Sequence, residues 1–541
     1  MALIARRTRC SVTLAAALLG CGAEGTEPPD FDRPPAVALV RPDTPGNKLL
    51  FHFEPDDVVE THGSDGGSFL VHFTHEGPNA VPPADTDQSG VPDFVEDVAQ
   101  THEKVLATYG DGLDFRAPLS DEAIADNGGD GRFDVYLVDF AGKGDGNYQN
   151  DACGKDNPQQ CAGYMVQEND YKGYGYPSTT LANRILASHE FFHAVQAAYD
   201  TEQGSVMAEG TAVWATEQFD PSLPDFEYFI DGYLQNPDRS LDQPMPGPVD
   251  PFSYGTALFF EFLEERYGAG TVRRLWEKCE NGAGGIDDPR WFEQLGPVLG
   301  EVADTSFADA FVEFATYNLF TGAYADPSRS YKNGAAYGPV KKEKVAAPFV
   351  DDKLRVFYAS SQYYRLAPEG RSEMSAALVS ADPAQLDGLA LLLAVLRGKS
   401  YDAVVRVSDP AAGSEAVDTA GADALVAVVV SGRQEGDSRR PGLCIGAPAE
   451  VESCQEGLLG TGGAGGAGGG DGVGAGGEGG SSGAPPPGVE PEEEAGCGCR
   501  WAGGPPAGAA GIGLVVAFLA ALGRRRRGRA ATAPAGGVPS P

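Results

Sequence analysis

Ser188-His189-Glu190-Phe191-Phe192-His193-Ala194-Val195-Gln196 sets two imidazoles four residues apart around a glutamate, in a run with no other charge. On a helix His189 and His193 share one face, so both can reach the same metal ion. Glu190 then falls about 100° round the helix, beside such an ion rather than on it. That is where a general base must stand to take a proton from an activated water. No histidine follows His193, so a third ligand has to be acidic if the site keeps an open coordination position. Glu209-Gly210-Thr211-Ala212-Val213-Trp214 lies one short link downstream, and a helix there must run antiparallel to the first. Glu209, in its first turn, can reach back to His193, whereas Glu202 lies in the link and Glu217 two turns further on. Two histidines and one carboxylate leave a fourth position to water, as in a hydrolytic zinc site.

The elements that must position these residues follow from patterning. The metal helix is predicted from about Leu181 to Tyr199, with Ser178, Thr179 or Thr180 as its cap and Gly204 beyond its end. Ser205 can cap the second helix, which stops near Asp220-Pro221. Upstream, Leu49–Phe53 and Phe69–Thr74 alternate enough to be strands, which puts His72 and His75 on opposite faces and makes them structural. Gly163–Glu168 reads as the last strand before the metal helix and, as the sheet edge beside the cleft, could hold an extended peptide by backbone pairing. Asp85, Asp87, Ser89, Val91 (through its carbonyl), Asp93 and Glu96 occupy the ligand positions of a calcium loop, with Gly90 at the sharp turn. Pro92 inside it and the lack of a helix before it suggest a lone loop that pins the start of a helix over Phe94–Tyr109. Asp126-Asn127-Gly128-Gly129-Asp130-Gly131 is a second acidic turn where calcium is considered, ahead of a strand over Phe133–Asp139.

Downstream, Ser253-Tyr254-Gly255 opens a helix with Leu258, Phe259, Phe262 and Leu263 on one stripe, and Phe307, Phe311 and Phe314 mark another. With no later histidine to steady a tetrahedral oxyanion, a tyrosine hydroxyl is the expected substitute, Tyr254 ahead of Tyr199. From about Phe349 the pattern changes to short alternating runs, Arg355–Tyr358, Gln362–Leu366, Leu389–Leu396, Ala403–Val407 and Leu425–Val430, which predict a small β-sandwich ending near Cys454.

The absent third histidine excludes the metzincin pattern, and His189, Glu190, His193 and Glu209 resemble the active site of gluzincin-type zinc metallopeptidases. More closely, the Asp-x-Asp-x-Ser-Gly-Val-Pro-Asp loop, the His-Glu-Phe-Phe-His-Ala-Val-Gln helix and the Glu-Gly-Thr-Ala-Val-Trp helix resemble secreted metalloproteases of myxobacteria over roughly residues 65–270. The resemblance implies zinc and peptide hydrolysis. In one respect the chain departs from it: Val213 stands four residues after Glu209, where thermolysin-like members carry an aspartate that orients the first histidine. The partners of the two histidines are therefore unassigned.

A chain of 541 residues needs more than one core, and its formal net charge of −38 argues against nucleic acid and anionic membrane surfaces as partners. Such acidity suits solubility and calcium. Cys153 with Cys161 and Cys444 with Cys454 are close pairs in loop-like sequence that imply an oxidising compartment, whereas Cys279 reads as a buried thiol. Arg6, Arg7 and Arg9 before the short apolar run Val12–Leu19 look like a secretory signal, and Leu18-Leu19-Gly20-Cys21 resembles a bacterial lipobox that would leave Cys21 lipidated; plain cleavage near Ala23 is the alternative. Residues 457–495 form a glycine-rich linker, not a nucleotide site, because no strand leads into them. Gly496-Cys497-Gly498-Cys499-Arg500, an apolar segment from about Ala507 to Leu522 and then Arg524–Arg527 resemble the myxobacterial MYXO-CTERM sorting signal.

The expected fold is α+β, a gluzincin-like catalytic unit followed by an all-β sandwich. Its parts are a signal peptide (1–20), a disordered tether (21–45), an N-terminal α/β subdomain (46–178), a zinc-binding helical subdomain (179–348), the sandwich (349–456), the linker (457–495) and the anchor segment (496–541). The expected activity is that of an exported, surface-anchored zinc endopeptidase acting on protein or peptide substrates, with membrane contact through an N-terminal lipid or the C-terminal segment and with sorting machinery as a partner. The competing class is a calcium-stabilised surface adhesion protein with a vestigial zinc site, against which the intact Glu190 speaks. A third reading keeps the peptidase and restricts it to glycosylated proteins, with the sandwich reading the sugar.

Overall fold

The computed structural model of the chain describes residues 31–32, 40–46, 50–246, 250–282, 287–413 and 415–460. The export signal, Cys21, nearly all of the glycine-rich linker and the sorting segment lie outside the described residues. The fold is α+β.

The N-terminal layer is a six-stranded sheet of β1 (Phe31–Asp32), β2 (Glu60–Gly63), β3 (Phe69–Phe73), β4 (Phe133–Val138), β5 (Gly146–Gly154) and β6 (Cys161–Glu168), in the order β1-β5-β6-β4-β3-β2. Strands β3, β4 and β6 are parallel, while β2 and β5 run antiparallel to their neighbours. The parallel strands are near-continuous apolar runs because both faces are covered. One face carries α1 (Asp93–Ala107) and α2 (Thr179–Ala197). The other is closed by residues 51–59, where Phe51 and Phe53 pack on Tyr136, Phe140, Tyr164 and Val166. The strand predicted over Leu49–Phe53 is therefore absent from its described part, residues 50–53: its aromatic rings cap a sheet face instead of joining a ladder.

The tether predicted to run to residue 45 is also shorter than expected, since residues 40–46 belong to the folded unit. Arg41 is only 2% exposed and its guanidinium meets Asp134 at 2.5 Å, Asp151 at 2.5 Å and Asp121 at 2.6 Å. Three buried carboxylates from separate elements await this cation, a requirement that local composition does not reveal. His72, buried and 2.7 Å from Asp134, is part of the same network and has the structural role predicted for it.

The helical half comprises α2, α3 (Ser205–Phe219), α4 (Asp225–Phe229), α5 (Asp231–Leu234), α6 (Pro251–Gly255), α7 (Ala257–Tyr267), α8 (Thr271–Cys279), α9 (Trp291–Ala303) and α10 (Phe307–Tyr317). The single helix predicted from Ser253 is two segments, α6 and α7, that meet at Thr256, whose hydroxyl donates to the Ser253 and Val206 carbonyls.

The C-terminal strands are β7 (Glu343–Val345), β8 (Phe349–Asp351), β9 (Ser360–Leu366), β10 (Glu373–Val379), β11 (Leu389–Arg397), β12 (Ser400–Tyr401), β13 (Val405–Arg406), β14 (Val417–Asp418), β15 (Ala424–Ser431) and β16 (Gly442–Gly446). They form one sheet ordered β14-β10-β16-β8 and another ordered β12-β11-β15-β9-β7, with β13 also on β11. Leu391, Leu393, Ala427 and Val429 face Ala376, Leu378, Leu443 and Ile445 across the sandwich. The alternate residues Leu392, Ala394, Val426 and Val428 point the other way, into the core that Phe307 and Phe311 of α10 supply. The sandwich is thus continuous with the helical half rather than a separate unit. Two details differ from expectation. Residues 355–358 make only an isolated bridge from Val356 to Arg439, and α11 (Pro448–Gly460) extends past Cys454 into the stretch whose composition predicts linker. The disulfides Cys153–Cys161 and Cys444–Cys454 are formed, and Cys279 is a buried thiol.

Candidate metal centre

Helix α2 starts at Thr179 because Ser178 Oγ accepts from the Leu181 amide at 3.1 Å. From Ile185 to Ala197 every residue is buried, since α2 is held between the sheet, α1 and α3. The turn at residues 198–204 returns the chain antiparallel, and Gly210 lets α3 sit tightly on α6 and α7: a Cβ there would collide with Thr256 Oγ1 and come within 2.8 Å of Phe260. Glu209, one residue earlier, is thereby set opposite the two histidines.

The structure brings His189, His193 and Glu209 together. Glu209 Oε2 lies 3.2 Å from His189 Nε2 and 3.6 Å from His193 Nε2, and one ligand atom from each residue falls within 4.8 Å of the others. Ligand atoms about 2.1 Å from a tetrahedral ion stand about 3.4 Å apart, so this spacing suits zinc, as does a donor set of two imidazoles and one carboxylate. Without an ion the three groups form a charge pair. Burial opposes an imidazolium at His193, but the hydrogen bond and charge of Glu209 outweigh it and raise its pKa to about 9. Burial alone would raise the Glu209 carboxyl; the hydrogen bonds and charges of both histidines instead hold it well below the carboxylate range.

His193 Nδ1 is 2.9 Å from Gln196 Oε1, and Gln196 Nε2 donates to Ala208 O at 2.8 Å and to Thr211 Oγ1 at 3.0 Å. A carbonyl can only accept, so Ala208 fixes the NH2 end of Gln196, Oε1 must accept from His193 Nδ1–H, and the lone pair is left on Nε2. Gln196 thus holds the second histidine, a role absent from the residues expected at the site. Its signal in the sequence is a buried-helix amide at the i+3 position from His193, on the same face.

Glu190 is buried on the strand side of α2, where its Oε2 accepts from the Tyr148 amide of β5 at 3.1 Å. Burial pushes its carboxyl up, countered by the two imidazoles. Here one placement is corrected: β6 is not the sheet edge, because β5 lies outside it, and both strands pack on α2. At Gly146 an added Cβ would come within 2.9 Å of the Glu190 stem. A small pocket lined by Tyr148, Asn150, His193, Ala208 and Trp276 opens between β5 and the second histidine. The Tyr254 ring lies parallel to His189, with centroids 5.8 Å apart, and Phe229 stacks on its other face at 4.7 Å.

In the predicted calcium loop, Asp85, Asp87 and Asp93 gather within 4.8 Å and are largely exposed, but Glu96, in the first turn of α1, is not among them. Ser89 Oγ and the Val91 carbonyl turn to each other at 3.3 Å. Asp93 instead accepts from the Thr86 amide and hydroxyl, which ties the loop to the start of α1. In the second acidic turn Asp130 is paired with Arg132 at 2.7 Å, and among the described residues no cluster of three ligands forms there.

No protein-family model matches the chain, and a search of curated proteins finds none similar to it.

Proposed function

We propose that the chain is a zinc-dependent endopeptidase with a gluzincin-like arrangement. The observation that carries this reading is the convergence of His189, His193 and Glu209, with Glu190 beside them and directly under β5. A structural metal has no need of a carboxylate in that position. Zinc in this donor set supplies Lewis acidity to a water and to the scissile carbonyl.

Glu190, buried beside the ligand residues and held by the Tyr148 amide, takes the proton of the attacking water and later returns it to the leaving amine. Gln196 keeps His193 Nε2 turned toward the ion. Strand β5, in place of β6, offers backbone groups to an extended substrate. Tyr254 is the group assigned to the developing oxyanion, supported by its stacking on His189. We further assign calcium to the Asp85–Asp93 loop as a brace for α1, whose extension carries Tyr109 to a 2.8 Å hydrogen bond with the Ser188 carbonyl. Export and surface anchoring through Cys21 or the C-terminal segment belong to the same proposal and rest on the sequence.

Zinc content and hydrolysis of a broad peptide library, compared for wild type and Glu190→Ala, test this. The expected result is about one zinc per chain in both and a loss of at least about 100-fold in cleavage rate in the variant. Zinc without cleavage in the wild type would favour a binding protein, and absence of zinc would overturn the reading.

A further inference from the structure

Strand β5 meets Glu190 at two points, one steric and one polar. Gly146, where β5 begins, lies so close to α2 that a Cβ there would stand 2.8 Å from Leu186 Cδ1 and 2.9 Å from Glu190 Cγ. Its φ is outside the left-handed region, so glycine is required here by space and not by backbone conformation. Leu186 can turn its terminal methyl away. Glu190 Cγ, one bond beyond Cβ on a helix whose neighbouring residues are all buried, has no such freedom.

The polar contact follows from the pleat. The Gln149 carbonyl faces Gly163 of β6, so the backbone groups of Tyr148, one residue earlier, face the outer side of the strand. Among the described residues β1 pairs with β5 only at Cys153 and Gly154, and it is Glu190 Oε2 that accepts from the Tyr148 N–H, at 3.1 Å. A clamp fixes where the strand sits along α2. Gln167, opposite Gly146 in β6, donates to Asn183 Oδ1 of α2 at 2.8 Å, and Asn183 donates to Asp97 and Thr101 of α1, each at 3.1 Å. Both amides are fully buried, and Asn183 lies about two turns before Glu190.

We propose that Gly146 and the Tyr148 amide are positioning groups for the general base: the missing side chain at 146 makes room for the Glu190 stem, and the N–H at 148 holds Oε2, which leaves Oε1 to meet the water. This rests on the peptidase reading and adds to it that β5 serves the base as well as the substrate. The Tyr148 N–H is spent on Glu190 and withheld from a substrate strand.

The test is a double-mutant cycle on the full chain, with kcat, KM and zinc affinity measured for wild type, Gly146→Ala, Glu190→Ala and the double variant. Gly146→Ala is expected to lower kcat by about 10–100-fold, with KM and zinc affinity within about twofold of wild type, and to change the residual rate of Glu190→Ala by less than about twofold. An ester in place of the amide at Tyr148 removes the donor without adding an atom, and should lower kcat by about tenfold even where Gly146→Ala fails to fold. Unchanged kcat in both altered proteins overturns the proposal. So does loss of zinc affinity, or an equal loss of rate with and without Glu190, since either would make the contact a support for the fold. Crystal structures separate this from failure of the peptidase reading. If wild type binds zinc and cleaves no peptide, that reading fails, whereas a Glu190 carboxylate displaced by about 1 Å or more in Gly146→Ala or in the ester protein still upholds the positioning role, and an unmoved carboxylate in both overturns it.

Discussion

Gln196 decides which nitrogen of His193 is free, and it does so only because its own amide is oriented by the Ala208 carbonyl and the Thr211 hydroxyl. Replacing it with leucine keeps the volume but removes the acceptor, so His193 can rotate or change tautomer. Gln196→Leu is expected to weaken zinc binding by about 10–100-fold, read by competition with a chelator, with the helical circular-dichroism signal unchanged. An unaltered zinc affinity would show that the Gln196–Thr211 hydrogen bond serves packing alone. The neighbouring glutamate behaves differently: Glu190 touches β5 rather than any ligand, so its removal should spare zinc and abolish turnover.

Helices α3 and α7 meet over a second set of acids that the proposed chemistry does not use. Glu217 and Glu261 are 3% and 6% exposed; Gln218 donates to Glu261 at 2.9 Å, and Glu265, Glu227 and Asp220 add negative charge. Burial first and these charges second push Glu261 up to about 8 and Glu217 up to about 7. A carboxyl whose folded pKa lies above its unfolded value of 4.5 contributes stability below that pH and loses it as pH rises toward 8. Thermal stability is therefore expected to fall between about pH 4.5 and 8, and Glu261→Gln, which keeps an acceptor for Gln218, should remove part of that fall. A gain of the order of 1–2 kcal/mol at pH 8 and none near pH 4.5, by denaturant titration, is the expected pattern. An equal gain at both pH values would locate the effect in packing instead of ionisation.

At the scale of the molecule, the sheet of β11, β15 and β9 serves two cores at once, alternate residues of each strand facing the sandwich and α10. Ending the chain at residue 342 would expose Phe307, Phe311 and Tyr363's partner carbonyl at Ala315 on the helical side. That shortened protein is expected to be insoluble or to melt without a cooperative transition, whereas residues 40–460 should unfold in one calorimetric transition. Two separated transitions would show the sandwich to be an independent domain. The N-terminal limit is set the same way: Arg41 must be present, because without it Asp121, Asp134 and Asp151 are buried with no cation.

Local periodicity is legible in the order of residues alone. The 3.6-residue turn by itself determines that His189 and His193 share a face, that Glu190 does not, and that a short link makes α2 and α3 antiparallel with Glu209 near the fold-back. The apolar runs of β4, β6, β11 and β15 announce buried strands for the same reason: the spacing is written within each segment. Three outcomes depended on tertiary structure. Strand β5 lies outside β6, which makes β6 an inner strand, because sheet order is set by which strands pair across the whole sheet and not by which precedes the metal helix in sequence. Arg41 is structural rather than part of a tether because its three partners lie 80 to 110 residues away. Gln196 holds His193 because Ala208 and Thr211 of α3 orient its amide, and no period within α2 encodes that meeting. Covalent order and helical geometry act over a few residues, whereas charge compensation and edge pairing are decided only once distant segments are packed.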